Sequence, residues 1–252
     1  MKKVILCAGA LMCGAAMMAQ TPSSNYAMTT QVGIGNDLGI DQVGTTAYAG
    51  VSQMGNNNEA TIEQGEKDNM AVVIQAGNRN SATSTQDYSY GAEFGNNVSS
   101  QRQNGIANVA SVSQESQWGN GTNNSTVYQT QSGNRNEASA EQQGNNHMNT
   151  QTQSGIGNTA DDLQKGASET AVTTQSGNYN ESYLVQNAWG NSSTVTQSGN
   201  RNYSDLSQDG GQNMSLITQS GVSNSVMATQ HGDNNTIMNV QSGMRNSATI
   251  NQ

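Results

Sequence analysis

The chain has 252 residues, of which 32% are apolar and only 11% charged, with one Phe and one Pro. That is too little apolar matter for an ordinary globular core, yet the scarcity of charge and proline argues equally against a disordered chain. The formal charge is -9; loss of a leader carrying Lys2 and Lys3 leaves seven basic against eighteen acidic residues, which argues against nucleic acid or an anionic membrane as the main partner.

The first segment reads as an export leader. Lys2 and Lys3 precede an apolar run over 4–18 that is too short to span a bilayer. Residues 1–19 are expected to be removed, with the cut after Ala16, where Gly14, Ala15 and Ala16 are small, or after Ala19. Both cysteines, Cys7 and Cys13, lie in this leader, so the mature chain has no thiol for a disulfide, a metal site or a nucleophile. Leu6 before Cys7 and Met12 before Cys13 fit a lipid-anchoring site poorly. Residues 20–30 then form a short segment, and no transmembrane segment is expected in the mature chain.

From 31 to 252 one period organises everything. Glutamine recurs at Gln31, Gln42, Gln53, Gln64, Gln75, Gln86, Gln103, Gln114, Gln131 and Gln142, and then at Gln153, Gln164, Gln175, Gln186, Gln197, Gln208, Gln219, Gln230, Gln241 and Gln252. These bound seventeen units of eleven residues and two of seventeen, the long ones carrying six-residue insertions near 87–92 and 115–120. Two residues after the glutamine comes glycine in fifteen of the seventeen short units, among them Gly33, Gly44, Gly55, Gly77, Gly105, Gly133, Gly155, Gly177, Gly199, Gly221 and Gly243; Glu66 and Ala188 are the exceptions. Glycine there is expected to supply the positive φ of a tight turn. Six residues before the next glutamine comes asparagine in fifteen of nineteen units, including Asn36, Asn58, Asn69, Asn80, Asn108, Asn136 and Asn158, and further on Asn180, Asn191, Asn202, Asn213, Asn224, Asn235 and Asn246. Ala47, Ser125, His147 and Glu169 replace it. Each unit therefore parses as a four-residue turn and a seven-residue strand running from Asn to Gln.

Side chains alternate along a strand, so the Asn-to-Gln face must also hold the second and fourth residues after Asn. Those positions are small or apolar in most units, as in Ala60 and Ile62, Ala71 and Val73, or Ala248 and Ile250, while the opposite face carries residues such as Glu59, Thr61 and Glu63. The expected fold is all-β: a β-solenoid of stacked strand-turn-strand coils, 22 residues per coil in two 11-residue half-repeats, with amyloid-like cross-β pairing. About nine and a half coils at about 4.8 Å each give a stack of roughly 45 Å. Buried Asn and Gln, costly if unpaired, are expected to form a ladder in which each amide bonds to the copies above and below.

The pattern Gln-x-Gly-x-x-Asn-x-Ala, three residues, Gln resembles the curlin repeat. Gln75-Ala76-Gly77-Asn78-Arg79-Asn80-Ser81-Ala82 followed by Gln86 is one copy; Gln131 through Ala138 followed by Gln142, and Gln241 through Ala248 followed by Gln252, are others. The resemblance implies a secreted subunit of curli, the extracellular amyloid fibres of bacterial biofilms, with cell-adhesion roles, export through an outer-membrane pore and growth from a nucleator subunit. Two features depart from the usual subunit: the chain is nearly twice as long, and it carries the two insertions. No capping repeat follows Gln252, so both edges are expected to template further copies of the same chain end to end.

Within the repeat, Asp162 and Glu169 fall at core-facing positions. They read either as gatekeepers that weaken one coil and slow premature aggregation, or as residues of a frayed edge whose carboxylates reach water. The insertions bring Tyr88, Tyr90 and Phe94 near Trp118, either as a docking patch or as tolerated loop growth. Arg79, Arg135, Arg201 and Arg245 each precede an Asn and read as solubilising turn residues. With only His147 and His231 in the mature chain and acidic residues scattered over many units, no catalytic site, metal site or cofactor is expected. The alternative to a fibre subunit is a soluble secreted solenoid that binds ice or glycan through Thr columns such as Thr83 and Thr85, Thr150 and Thr152, and Thr194 and Thr196. Glu59, Glu137, Tyr203, Asp205 and Met214 on the outward face are expected to break any such lattice.

Overall fold

A computed structural model describes residues 24–65, 67–86, 95–114 and 124–252. The leader, both six-residue insertions and the aromatic group of Tyr88, Tyr90, Phe94 and Trp118 lie outside the described residues. In chain order the strands are β1 (Tyr26–Val32), β2 (Asp37–Gln42), β3 (Tyr48–Asn56), β4 (Glu59–Gln64), β5 (Met70–Asn78), β6 (Ser81–Gln86), β7 (Val98–Ile106), β8 (Val109–Gln114), β9 (Thr126–Asn134) and β10 (Glu137–Asn145). They continue with β11 (Met148–Ile156), β12 (Thr159–Ala167), β13 (Thr170–Asn178), β14 (Glu181–Trp189), β15 (Ser192–Asn200), β16 (Tyr203–Asp209), β17 (Met214–Val222), β18 (Ser225–His231), β19 (Thr236–Met244) and β20 (Ser247–Asn251).

All pairing is parallel and skips one strand. The odd-numbered strands form one ten-stranded sheet and the even-numbered strands a second, so each coil gives one strand to each sheet. The register is the repeat itself: Gln53 pairs with Gln75, and Gln75 with Gln103 across the first insertion, so added residues shift no column. No helix among the described residues is long and apolar enough to cross a membrane.

Two boundaries differ from the sequence reading. Many strands start one residue after the column Asn and run three residues past the Gln, as β5 does beyond Gln75, because the Gly-containing segment still pairs with the next coil. Pairing also starts half a coil early: β1 begins within the segment before Gln31 and is paired with β3 from Tyr26. Asn25 donates to the Gly44 carbonyl and accepts from the Ala47 N–H, the work of a column asparagine.

Each turn bends at two left-handed residues. The glycines named above, apart from Gly44, have positive φ, and a Cβ on Gly177 would lie well inside van der Waals contact with the Gly199 carbonyl oxygen of the next coil. The residue just before the column Asn has φ between 55° and 68° in all nineteen turns, and in sixteen of them it is not glycine. Arg79, Arg135, Arg201 and Arg245 occupy this position, where an L-residue costs roughly 1–2 kcal/mol against Gly.

The core between the sheets is thin and varies along the stack. One apolar cluster contains Ala49, Val51, Ile62 and Val73, and another contains Leu184, Val195, Leu206 and Ile217. Between them lies a band in which Gln101, Gln129, Gln151, Asn149, Asp162 and Thr173 are buried at core positions.

Candidate functional site

Two glutamine columns run the length of the solenoid. In the odd sheet each Nε2 from Gln31 to Gln219 donates to the Oε1 of the next coil's glutamine, at 2.7 to 3.0 Å. In the even sheet the same ladder runs from Gln42 to Gln252, at 2.8 to 3.5 Å. The second N–H of the amides between the two ends crosses the core: Gln53 donates to the Asp37 carbonyl at 2.8 Å and Gln64 to the Tyr48 carbonyl at 3.1 Å. The glutamines thus tie coil to coil and sheet to sheet, which is why no other side chain occupies the register.

The asparagine ladder at the turns leading from odd to even strands runs the opposite way. Asn80 donates its backbone N–H and its Nδ2 to Asn58 Oδ1, at 3.1 and 3.0 Å, and Nδ2 also donates to the Gly105 carbonyl of the next coil at 3.1 Å. All ten asparagines of this column, Asn36 to Asn246, and all ten glycines, Gly33 to Gly243, are present without exception. Every irregularity falls on the other edge, where even strands lead to odd ones: Ala47, Glu66, both insertions, Ser125, His147, Glu169 and Ala188. The sequence reading treated all turns as equivalent; the two-sheet topology separates them.

The two outward faces also differ. Among the described residues the odd strands carry one charge, Arg102, whereas the even strands present ten outward acidic residues, including Glu59, Glu63, Glu137, Asp161 and Asp205. Thr130, Thr152, Thr174, Thr196 and Thr218 pair in sequence on the odd face, beside the column of Ser132, Ser154, Ser176, Ser198, Ser220 and Ser242. The expectation that charges break the Thr columns is therefore corrected. Glu59, Glu137, Tyr203 and Asp205 lie on the even sheet, and only Met214 shares a face with Thr150, Thr152, Thr194 and Thr196; Thr83 and Thr85 are on the even strand β6. Alternate units point opposite ways, so reading them as one column mixed two surfaces.

The model of the curlin associated repeat family matches residues 35–65, 166–199 and 190–221. These carry the same Gln-x-Gly-x-x-Asn register that builds the ladders. The chain carries curlin associated repeats in these segments. No curated protein matches it. Its curlin repeats and Asn/Gln ladders fit a curli-type subunit.

The polar band is where this solenoid departs from its own repeat. Gln101 donates to Gln129 at 3.0 Å and Gln129 to Gln151 at 2.8 Å, an inner ladder that sequence reasoning missed. The signal was there: Gln101-Arg-Gln103, Gln129-Thr-Gln131 and Gln151-Thr-Gln153 each place two glutamines on one face. Below that ladder Asp162 is fully buried and accepts from Asn149 Nδ2 at 3.1 Å and Thr173 Oγ1 at 3.1 Å. Burial outweighs these bonds and pushes its pKa up to about 7.

Glu169 and His147 stand in the asparagine column of adjacent coils, both fully buried. Asn191 Nδ2 donates to Glu169 Oε1 at 3.3 Å, and Glu169 Oε2 faces His147 Nδ1 at 3.8 Å. Burial raises the Glu169 pKa to about 8 and lowers that of His147, whose Nε2 lies 3.3 Å from the Gln143 carbonyl. With Nε2–H donating to that carbonyl, Nδ1 is an acceptor, so the pair holds one proton between them near neutral pH. Neither carboxylate reaches water, which removes the frayed-edge reading.

Proposed function

We propose that this protein is a secreted, non-enzymatic structural subunit of an extracellular curli-like amyloid fibre, contributing to biofilm matrix and cell adhesion, and that copies add end to end by continuing both sheets. The polarity of the ladders carries this reading. The glutamine columns begin at β1 and β2 with Oε1 acceptors on Gln31 and Gln42 and end at β19 and β20 with Nε2 donors on Gln241 and Gln252. The odd-to-even asparagine column ends the other way, with an Oδ1 acceptor on Asn246 and, by the column's pattern, the backbone N–H of Asn36 as donor. Each described edge thus offers what the other accepts, and a parallel strand added at either would meet the same register. By the family's habit, a nucleator subunit would supply the first template and an outer-membrane pore the export route.

Asp162 and Glu169 fit the gatekeeping role, since their dry sites resist ionisation and weaken the fold there as pH rises towards 8. The test of the fibre reading is thioflavin-T fluorescence with electron microscopy on mature protein diluted from denaturant. Fibres that seed fresh monomer are expected; a persistent folded monomer would refute the reading. That outcome would favour the second reading, a soluble solenoid whose odd-sheet Thr and Ser columns engage a glycan or ice surface.

A further inference from the structure

Nothing in end-to-end growth explains the asymmetry between the two outward faces. Of the twenty large apolar side chains exposed among the described residues, thirteen lie on odd strands and four on even strands. Met238 is 71% exposed, Val240 68% and Met54 61%, on strands whose only charge among the described residues is Arg102. Between these patches run the Thr130–Thr218 and Ser132–Ser242 columns, uncharged and in register. The even face is acidic from β2 to β16, with Lys165 the one basic residue on its strands besides His231.

We infer that the odd-sheet face is a lateral interface that pairs two copies of this chain back to back, leaving the acidic even faces outward. Charge selects the partner face: two even faces would set ten carboxylates against ten, whereas two odd faces meet almost without charge. Area is sufficient. Ten strands at about 4.8 Å spacing, with strands about 25 Å long, give roughly 1,200 Å² per copy, so a pair buries about 2,400 Å² in total, the size of a stable interface. Short Thr and Ser side chains leave the face flat and let a second sheet approach to about 10 Å, and both faces share one axial repeat, so their columns interleave along the whole stack. A two-fold axis makes the contact self-complementary.

The inference rests on the fibre reading only for its extent, since pairing within fibres continues along the axis. The test compares wild type with Thr130→Lys/Thr174→Lys/Thr218→Lys on the odd face and with Thr85→Lys/Ser207→Lys/Thr229→Lys at the equivalent positions of the even face. Scanning transmission electron microscopy gives mass per length. Wild type and the even-face variant are expected at two copies per roughly 48 Å of axis and the odd-face variant at one, still growing from seeds. Single-copy wild-type filaments, or doubled filaments that survive the odd-face lysines, overturn the inference. If no fibre forms, sedimentation of soluble protein decides: a wild-type dimer that the odd-face lysines split supports it, and a wild-type monomer overturns it. Wild-type monomers or single filaments that bind microcrystalline cellulose and lose it with the odd-face lysines overturn it in favour of a glycan as occupant.

Discussion

Replacing Asp162 by Asn should remove most of the pH dependence of folding between pH 4 and 7. In the unfolded chain the carboxyl titrates near 3.8, and burial raises it to about 7 in the folded protein. Between those values the folded state holds a proton that the unfolded state has released, so stability falls as pH rises. Roughly three units at about 1.4 kcal/mol each give a loss of about 4 kcal/mol for the wild type, complete only above pH 7. The Asn variant keeps the donors from Asn149 and Thr173 within reach and carries no charge. The Glu169–His147 pair acts in a different window. In the unfolded chain the histidine holds one proton up to about pH 6.5, and in the fold the pair also holds one, so little changes until the unfolded histidine deprotonates. Its contribution is then lost between pH 6.5 and about 8, where the folded Glu169 titrates. The assay is guanidinium unfolding followed by circular dichroism, below the concentration at which fibres form. The two proteins differ only at residue 162, so the difference between the two curves isolates Asp162. Superimposable profiles from pH 4 to 7 would refute the assignment of a buried, protonated carboxyl.

Four further outcomes follow from the same contacts. Gln186→Leu removes the bond from Gln164, the bond to Gln208 and the cross-sheet bond to the Thr170 carbonyl, and should cost about 2–5 kcal/mol by denaturant midpoint; Ala248→Gly, on a half-buried edge strand, should cost about 1 kcal/mol. Gly243→Ala meets nothing closer than Asn246 Nδ2 at 3.7 Å within one copy, and Ala188 already holds φ 98° at the equivalent place, so the monomer should fold. An incoming coil would bring a carbonyl close to that Cβ as Gly199 does to Gly177, so seeded elongation from the β19 end should slow; unchanged elongation would contradict stacking there. Asp162→Asn/Glu169→Asn should shorten the lag of fibre formation at pH 7.5 and leave it unchanged at pH 5, where the buried acids are already neutral; an unchanged lag at both values sinks the gatekeeper role. Ala107→Gly, at φ 57°, should raise stability by about 1 kcal/mol in the same unfolding assay, because only the wild type strains an L-residue there.

The columns were legible because Gln, Gly and Asn each answer a demand that no other side chain meets: an amide that spans the core while laddering, a backbone that passes a carbonyl at close range, and an amide that caps it. What escaped was held by residues with no shared chemistry. The left-handed position before Asn is filled by Arg79, Ala107, Tyr179 and Ser223 alike, so composition gives no sign of it. The faces escaped for a different reason. Eleven residues bring the same side-chain orientation relative to the core but alternate the sheet, and only a reading at twenty-two residues separates Thr174 from Asp205. The inner ladder of Gln101, Gln129 and Gln151 was visible as a Gln-x-Gln pattern, yet the expectation of an apolar core at that position hid it.

The confinement of every irregularity to one edge has a physical cause in how the two edges are bonded. On the odd-to-even edge each Asn donates both to the preceding Asn and to the following glycine carbonyl, so one substitution breaks bonds in three coils. On the even-to-odd edge the column is already interrupted: the Ala47 N–H ends on Asn25, His147 accepts no amide from Glu169, and Ser125 bridges by its hydroxyl to the His147 N–H. Insertions and titratable groups placed there disturb one turn at a time while the glutamine ladders hold the register on either side. On the two readings proposed above, the solenoid would separate its tasks by direction: growth at the two strand edges along the axis, pairing on the odd face with its one charge among the described residues, Arg102, and variation on the even-to-odd edge.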